Sequence, residues 1–392
     1  MKKSNIFIRL VSYLLVVLLV LALGVYIGQR SIKQNNKLAE LQALLESRFI
    51  GEVDPEAITD GAAAGMVAGL GDRWSYYIPA SQYASYMEQM ENAYVGIGIT
   101  ISTEDVAEGF KVLQVEPGGG AVEAGILPGD LLVAVEGQRV SELGVDAARE
   151  KIRGDENTQV SITVQRSGEE LTFQVTRKLI QVVVAEGEML EGNIGLVTIA
   201  NFDARCADET LAAIDRLLSE GAEALIFDVR NNPGGYKDEL VKILDYLLPE
   251  GALFRSVSYT GKETVDESDA ECLKLPMAVL MNEESYSAAE FFAAALEEYD
   301  WAVTVGNHTV GKSYFQTTFQ LSDGSAVGLS IGKYCTPNGV TLAEVGGLAP
   351  NIPVEIDDET AAKIYADLLA PAEDPQIQAA VEAVKSSLDE KD

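Results

Sequence analysis

The chain has 392 residues, of which 47% are hydrophobic, and this length predicts two globular domains with accessory segments rather than one core. Its formal net charge of −32, from 61 acidic and 29 basic residues, excludes nucleic acid as a favoured partner and otherwise indicates a soluble surface. The chain has three widely spaced cysteines, Cys206, Cys272 and Cys335, and one histidine, His308. This composition predicts no metal site, and it is compatible with one disulfide bond.

An apolar run near the amino terminus predicts a membrane anchor. Leu10–Ile27 spans 18 residues, close to the roughly 20 that cross a bilayer. Lys2, Lys3 and Arg9 precede it, and basic leaders stay inside, so the rest of the chain is expected outside the cytoplasm. A cleaved signal peptide is the weaker alternative, since the run is long and no clear A-x-A site follows. Residues 1–33 are therefore expected to form a leader and signal-anchor.

Two further segments differ in their hydrophobic patterns. Residues 34–92 alternate helical patterns with the turn-rich Gly69–Pro79 and predict a helical lead-in. Residues 93–180 contain short alternating strands separated by glycine turns, with one helix near Val145–Ile152, which predicts a compact β-rich module.

The carboxyl-terminal half predicts an α/β layered core. Residues 181–357 alternate apolar strands with amphipathic helices, as in IGLVTIANF, ETLAAIDRLLSEG, ALIFDV, DELVKILDYLL, MAVLMN, SAAEFFAAALEEY and WAVTVG. This alternation favours parallel strands, whose carboxyl ends gather catalytic groups. Residues 358–392 are expected to form an amphipathic helical tail, interpreted as a candidate pairing element.

Three segments at these strand ends carry candidate chemistry. The first, Leu225–Gly235, is an apolar strand followed by Pro233, Gly234 and Gly235, whose backbone N–H groups could form an anion hole. An ordinary turn is the alternative interpretation of that loop. The second, Ala278–Leu296, places Ser287 at the start of a helix, beside free N–H groups.

The serine and the third segment each have an ordinary structural interpretation. Ser287 with Glu290 also spells a capping box, and capping serines greatly outnumber nucleophiles. In the third segment, VGKSYFQ, Lys312 could act as a general base if burial lowered its pKa from about 10.4 toward 7 or 8. Gln316 could hold that amine by a hydrogen bond, but taken alone Lys312 is an ordinary surface lysine.

Three rival patterns compete with these segments. Gly306–Ser313 matches the phosphate-binding pattern G-x-x-x-x-G-K-[ST], but the residues that follow alternate like strands instead of opening a helix. Ser330 and Lys333 spell S-x-x-K in a strand pattern, which places them on opposite faces. His308 lies in a polar turn with no G-x-S-x-G elbow around any serine, so it is interpreted as a turn residue.

Together, in order and spacing, these segments resemble the C-terminal processing peptidases, also called tail-specific proteases, from about Gly69 to Val354. DVRNNPGG resembles the D-x-R-x-N-x-G-G segment of that family, NEESYSAAE its serine motif, and VGKSYFQ its lysine motif 25 residues later. The resemblance implies a ClpP/crotonase-like core with Ser287 as nucleophile, Lys312 as base and Gln316 orienting it. It also implies an oxyanion hole from the backbone at Gly234, Gly235 and Ala288.

The β-rich module resembles a PDZ domain. YVGIGI resembles the carboxylate-binding loop, with Val95, Gly96, Ile97 and Gly98 in the positions that capture a chain terminus. Ala121–Gly137 resembles the adjoining helix, turn and strand of that fold.

Other segments also resemble the family, whereas four residues of the serine motif differ from it. Arg153 falls where relatives carry an arginine proposed to signal between the PDZ domain and the core. GLGDRWSYYIP resembles the lead-in of the family, and KYCTPNGVTL with GGLAPNIPVE resembles its closing strands. Tyr286, Ala289, Glu283 and Glu284 depart from the usual serine motif, which leaves the substrate preference open.

The expected protein is thus a membrane-anchored, single-pass serine endopeptidase that recognises protein or peptide substrates by their exposed C-terminal tails and cuts through an acyl-enzyme. It needs no cofactor and no metal. The sequence is compatible with a homodimer or a higher oligomer. The alternatives are a membrane-anchored PDZ binding protein with an inert core and, more remotely, a nucleotide-binding protein.

Overall fold

The computed structural model describes residues 37–102, 108–366 and 368–389. The predicted anchor at Leu10–Ile27 lies outside these ranges. Within them, no helix combines the length and the apolar character that crossing a bilayer requires. The described chain divides into two units, one of residues 37–79 with Thr318–Leu329, the other of Ala80–Thr317 with the described residues from Ser330 onward.

The first unit is built mainly from the predicted lead-in. Residues 37–48 form helix α1, and α2 (Pro55–Ala68) begins where the Asp54 carboxylate accepts hydrogen bonds from two backbone N–H groups. Strand β1 (Tyr76–Ile78) pairs antiparallel with residues 326–328 of a later strand. The lead-in motif closes on itself, because the Ser75 hydroxyl donates to Asp72 Oδ2 over 2.6 Å.

In the second unit, helix α3 (Ala80–Met90) precedes the β-rich module. The module contains β2 (Ala93–Gly96), β3 (Ile99–Ser102), β4 (Phe110–Val115), α4 (Gly120–Ala124), β5 (Leu131–Val135), β6 (Gln138–Arg139), α5 (Val140–Ile152), β7 (Gln159–Arg166), β8 (Glu169–Thr176) and β9 (Lys178–Gln181). Strands β3, β4, β5, β7 and β8 form one sheet in that order, and β2 pairs with β9. Alternate residues such as Val160, Ile162 and Val164 in β7 point into a separate apolar core, as the period-2 pattern predicts.

The layered core contains the predicted alternation and also strands β10, β13 and β14, which the sequence did not predict. Its elements are β10 (Ala185–Leu190), β11 (Ile194–Ile199), α6 (Cys206–Ser219), β12 (Ala224–Asp228), α7 (Lys237–Leu247), β13 (Gly251–Ser258), β14 (Glu263–Ser268), β15 (Met277–Met281), α8 (Ala288–Glu298), β16 (Ala302–Gly306), β17 (Tyr314–Gln320), β18 (Ala326–Cys335), α9 (Leu342–Val345), β19 (Ile352–Pro353), α10 (Asp358–Tyr365) and α11 (Pro375–Asp389).

The central sheet has the order β10-β11-β12-β15-β16-β19. Apart from the antiparallel β10–β11 edge, its pairs are parallel, as predicted. Strands β12 and β15 are buried on both faces, which explains their unbroken apolar sequences. The largest apolar core cluster combines side chains of this sheet with side chains of α6, α7 and α8.

The described part of the tail is helical, as predicted, but it is not one continuous helix. It forms two helices, α10 and α11, because the intervening segment contains Pro371 and the first turn of α11 starts again at Pro375. The apolar side of α11, including Ile377, Ala380 and Val384, is also buried against the sheet of the same chain. That face is therefore not available as a pairing element.

Candidate active site

Three loops meet at one edge of the central sheet, at the carboxyl ends of neighbouring parallel strands. Register pairs Asp228 of β12 with Leu280 of β15, and Met281 of β15 with Gly306 of β16. The loops after these strands therefore begin side by side, and they carry the three predicted motifs. The Gly306–Ser313 segment leads into strand β17, so the strand pattern that argued against a nucleotide site is confirmed.

The loops after β12 and β15 are hydrogen bonded to each other. The Asn231 N–H donates to Asn282 Oδ1 over 2.9 Å, and the Tyr286 N–H donates to the Asn232 carbonyl over 3.1 Å. The buried Ser285 hydroxyl also donates to the carbonyl of Val229 over 2.7 Å. These bonds fix the turn before Ser287 against the glycine loop.

Ser287 occupies a strained position at the start of α8. Its backbone lies at φ 58° and ψ −126°, a region that non-glycine residues rarely adopt. The side chain is buried, and its hydroxyl lies 2.6 Å from the hydroxyl of Tyr334, within hydrogen-bonding distance. The predicted capping box between Ser287 and Glu290 forms, and in it the Ser287 N–H donates to Glu290 Oε2 over 3.0 Å.

The glycine loop touches the serine. A Cβ at Gly234 would lie 2.7 Å from the Cβ of Ser287 and 2.8 Å from the N atom of Ala288, so a side chain there would displace the serine turn. Gly235 pairs with Phe202 in a parallel bridge that uses the N–H of Tyr236 and the carbonyl of Gly234. Gly234 and Gly235 also adopt φ values of 88° and 151°, which favour glycine.

The predicted oxyanion donors differ in availability. The Gly234 N–H donates to Asn232 Oδ1 over 2.8 Å and is therefore occupied within the loop. The bridge between Gly235 and Phe202 does not use the N–H of Gly235. In extended backbone that N–H points away from the bridged neighbour, so it is directed away from Phe202. Ala288 is the first residue of α8, where an N–H has no intrahelical acceptor.

Glu290 links the serine turn to the lysine loop. Its fully buried carboxylate accepts hydrogen bonds from the Thr309 hydroxyl at 2.5 Å and from the N–H groups of Gly311 at 2.5 Å and Lys312 at 2.9 Å. These bonds add to the one from the N–H of Ser287. Burial raises the pKa of Glu290, whereas the four donors favour its ionised form. One side chain thus holds the backbones of both predicted catalytic residues.

Each predicted catalytic side chain has a contact with a residue outside the predicted catalytic set. Lys312 is half-buried, and its Nζ lies 5.7 Å from the centre of the Tyr286 ring. The Gln316 amide donates to the carbonyl of Tyr314 and to the hydroxyl of Ser330, each over 3.0 Å. Gln316 thereby ties β17 to β18, whereas the sequence predicted that it orients Lys312.

A buried carboxylate lies near the glycine loop. Asp203 follows Phe202, and its Oδ1 is buried with no hydrogen-bond partner among the described residues. Burial raises the pKa of Asp203 to about 7. Burial also raises the pKa values of Tyr236 and Tyr286, and the nearby Asp203 charge adds to both shifts.

The predicted PDZ loop connects β2 and β3. The carbonyls of Ile97 and Gly98 accept hydrogen bonds from the N–H groups of Ala121 at 2.9 Å and Glu116 at 3.0 Å, which fixes the loop against α4. Arg153, at the end of α5, pairs with Glu88 of α3 at 2.6 Å.

Sequence reasoning missed three contributors to this site. Tyr334 was noted only as part of a closing strand, Glu290 only as a helix cap, and Asp203 not at all. The available signal for Asp203 was an acidic residue directly after the apolar segment IGLVTIANF. Tyr334 contacts Ser287 across 47 positions, and Glu290 binds the lysine loop 19 to 22 positions later, so the local capping pattern indicated neither of these contacts.

Comparison with known proteins adds independent information on the whole chain. Residues 193–354 match the model of peptidase family S41, residues 111–166 match a PDZ domain, and residues 25–82 match the N-terminal domain of the activating protease CtpB. The carboxy-terminal processing protease CtpA of Bacillus subtilis is 31% identical over 341 residues, which cover 85% of this chain and 72% of that protein.

The chain belongs to peptidase family S41. This S41 chain is a serine-type peptidase of the C-terminal processing group with a PDZ domain. A Staphylococcus aureus protein named "Probable CtpA-like serine protease" is 30% identical over 324 residues, which cover 82% of the S41 chain and 64% of that protein.

Similarity to a solved structure supports the fold of this S41 peptidase. A Bacteroides fragilis protein assigned to the S41 proteases aligns with a TM-score of 0.50 and 16% identity, over 87% of this chain and 93% of that one.

Proposed function

We propose that this peptidase hydrolyses peptide bonds with Ser287 as nucleophile and Lys312 as general base. The main support is the backbone geometry around Ser287, which presents a strained serine at a helix start, in contact with a glycine loop. Glu290 holds the N–H of Ser287 and the N–H of Lys312 with one carboxylate, which supports a common site for the two residues.

The proposed reaction begins when the Ser287 hydroxyl transfers its proton to a neutral Lys312 amine and attacks the substrate carbonyl. The N–H groups of Gly235 and Ala288 stabilise the oxyanion, while the N–H of Gly234 supports the loop through Asn232. The leaving amine takes the proton from Lys312, and water then hydrolyses the acyl-enzyme.

The resting contacts have to change before this reaction can start. Ser287 turns from Tyr334 toward Lys312, and the amine leaves the face of the Tyr286 ring. Gln316 stabilises the β17–β18 pair in the resting form and is available to orient the amine in the working form. The parallel sheet with catalytic loops at its carboxyl edge supports a core of the ClpP/crotonase type.

We further propose that the PDZ loop at Val95–Gly98 binds the C-terminal tails of protein substrates outside the cytoplasm. The PDZ match and the family support peptide binding, and the apolar Leu10–Ile27 run with its basic leader supports a single-pass anchor.

The first test compares wild-type protein with Ser287→Ala and Lys312→Ala, using the full-length chain and unfolded substrates with different C-terminal residues. Each variant is expected to lose cleavage, and Ser287→Ala should change the free energy of unfolding by only about 1 kcal/mol. Fluorophosphonate labelling followed by peptide mapping should place the adduct on Ser287.

Lys333→Ala is the matched control for the lysine. The Nζ of Lys333 lies 5.6 Å from the centre of the Tyr314 ring. Lys333→Ala therefore also removes an amine that lies over a tyrosine ring, but this variant is expected to retain its cleavage activity. Cleavage that survives Ser287→Ala or Lys312→Ala contradicts the assignment. Tail binding by a folded wild-type protein that never cleaves would instead support the inert-core alternative.

A further inference from the structure

The side chain of Tyr334 contacts the nucleophile position directly. It projects from β18 with only 5% of its surface exposed, and its hydroxyl lies 2.6 Å from Ser287 Oγ. Among the described residues, this serine is the hydrogen-bond partner of the phenol. Burial raises the pKa of Tyr334, so the phenol stays protonated and cannot accept the serine proton as a base.

Aromatic packing holds the Tyr334 ring in place. Its centre lies 4.6 Å from the ring of Phe291 in an edge-on contact, 5.2 Å from Phe254 and 6.1 Å from Phe315. Phe291 follows Ser287 by one helical turn in α8, so the phenol and the serine share one rigid support. The serine hydroxyl can move away from the phenol by rotation about one bond, whereas the packed tyrosine ring holds the phenol hydroxyl in place.

The backbone of Tyr334 is also tied to the lysine loop. Its N–H donates to the carbonyl of Ser313 over 3.1 Å, next to Lys312. The buried Ser313 hydroxyl accepts a hydrogen bond from the N–H of Ala343, which holds this part of the loop. Tyr334 is thus positioned between the nucleophile and the segment that carries the base.

We propose that Tyr334 is a positioning residue that holds the Ser287 hydroxyl in a resting orientation, from which substrate binding releases it toward Lys312. This inference rests on the proposed roles of Ser287 and Lys312. Release is a rotation about the Cα–Cβ bond of Ser287 and transfers no proton. The proton moves to Lys312 only when the serine attacks. Because rotation leaves a buried phenol without its partner, the working orientation is disfavoured until substrate arrives.

Tyr334→Phe tests the proposal, because it removes the hydroxyl and keeps the ring and its aromatic contacts. The full-length variant is expected to react with a fluorophosphonate roughly 3- to 10-fold faster than wild type, the range for one net hydrogen bond. The pH at which the labelling rate is half-maximal should stay unchanged, because it reflects the protonation of the proposed base. A faster reaction with an unchanged midpoint is not expected from mere loss of packing.

Tyr299→Phe provides the matched control. Its hydroxyl donates to the carbonyl of Ala252 over 3.0 Å at the far end of α8, so its loss also removes one tyrosine hydrogen bond from this core. Tyr299→Phe is expected to label at the wild-type rate. Equal or slower labelling of a folded Tyr334→Phe protein overturns the proposal.

A second measurement does not depend on the variant. In a crystal structure of the wild-type fluorophosphonate adduct, Ser287 Oγ is expected to lie beyond hydrogen-bonding distance of the Tyr334 hydroxyl. An adduct that keeps the 2.6 Å contact overturns the proposal. Labelling that persists in Lys312→Ala would instead contradict the proposed function, so the two failures can be told apart.

Discussion

At the residue scale, the conformation of Ser287 is unfavourable by itself and is held by its neighbours. A non-glycine residue in such a backbone region costs about 1–3 kcal/mol. The Glu290 carboxylate accepts its N–H, and the backbone of Gly234 leaves room for its Cβ. This backbone conformation places the Ser287 side chain at the start of α8, where the first N–H groups have no intrahelical acceptor.

Asp203 leads to a prediction about stability and pH. Its pKa is about 7 in the folded chain, against 3.8 for an ordinary aspartate, so the folded state binds more protons between these values. Stability is therefore expected to fall as pH rises from about 4 to 7, by up to about 1.4 kcal/mol per pH unit, and to level off above 7. Asp203→Asn removes this dependence and should gain stability relative to wild type as the pH rises.

The measurement is the urea midpoint of both proteins at pH 5 and pH 8. The nearby Tyr236 and Tyr286 have raised pKa values and stay neutral over this range, so they do not confound the comparison. A stability difference that is the same at both pH values would show that Asp203 does not titrate with a raised pKa.

At the element scale, the carboxyl-terminal helix is anchored to the glycine loop by a buried ion pair. Asp374 caps α11 by accepting the N–H groups of Gln376 at 2.9 Å and Ile377 at 3.2 Å. Its second carboxylate oxygen accepts a 2.8 Å hydrogen bond from Arg230, which also binds Asp228 at the end of β12. Helix α11 thus supports the loop that carries Gly235.

Asp374→Ala is expected to destabilise the chain by about 3–5 kcal/mol, because it leaves a buried arginine with one partner fewer and removes a cap. Urea denaturation measures this change. Asp357→Ala is the matched control: Asp357 caps α10 through the N–H of Thr360 at 2.8 Å and should cost only about 1 kcal/mol. Equal losses in the two variants would show that the ion pair adds nothing beyond a cap.

At the scale of the whole molecule, the PDZ module contacts the peptidase core through the segments that flank it. Arg153 pairs with Glu88 and lies 5.4 Å from the centre of the Tyr94 ring. The side-chain amides of Asn92 and Asn201 also donate to each other, over 3.1 and 2.9 Å. The proposed tail binding at the loop after β2 would therefore act through these contacts on the residues that precede Asp203.

Arg153→Ala is expected to weaken the effect of an added C-terminal peptide on the rate of Ser287 labelling, by roughly 5-fold or more for a typical coupling free energy. Arg139→Ala, which breaks the exposed pair with Glu170, is the control and should leave that effect intact. The measurement is the labelling rate with and without peptide. An unchanged peptide response in Arg153→Ala would mean that Arg153 does not couple the two parts.

The sequence by itself determined the order and type of the elements from β11 to α7 and from β15 to β18, but it did not predict strands β10, β13 and β14. Helix α7 was predicted as residues 238–248 and spans Lys237–Leu247, and helix α8 was predicted from Ser287 and begins at Ala288. Periodic burial is a local property, so the pattern of apolar residues was sufficient. The motifs also placed Ser287, Lys312 and the glycines at one edge of the sheet, because the ends of parallel strands coincide.

Only the tertiary structure decided which side chains meet at that edge. Tyr334 reaches Ser287 across 47 positions, and Asp374 reaches Arg230 across 144. It also decided that the tail breaks into two helices and that α11 covers the sheet. Such contacts depend on strand neighbours and rotamers chosen by packing, which no local periodicity records. Hence the sequence indicated the catalytic candidates, and the fold set the orientation in which they rest.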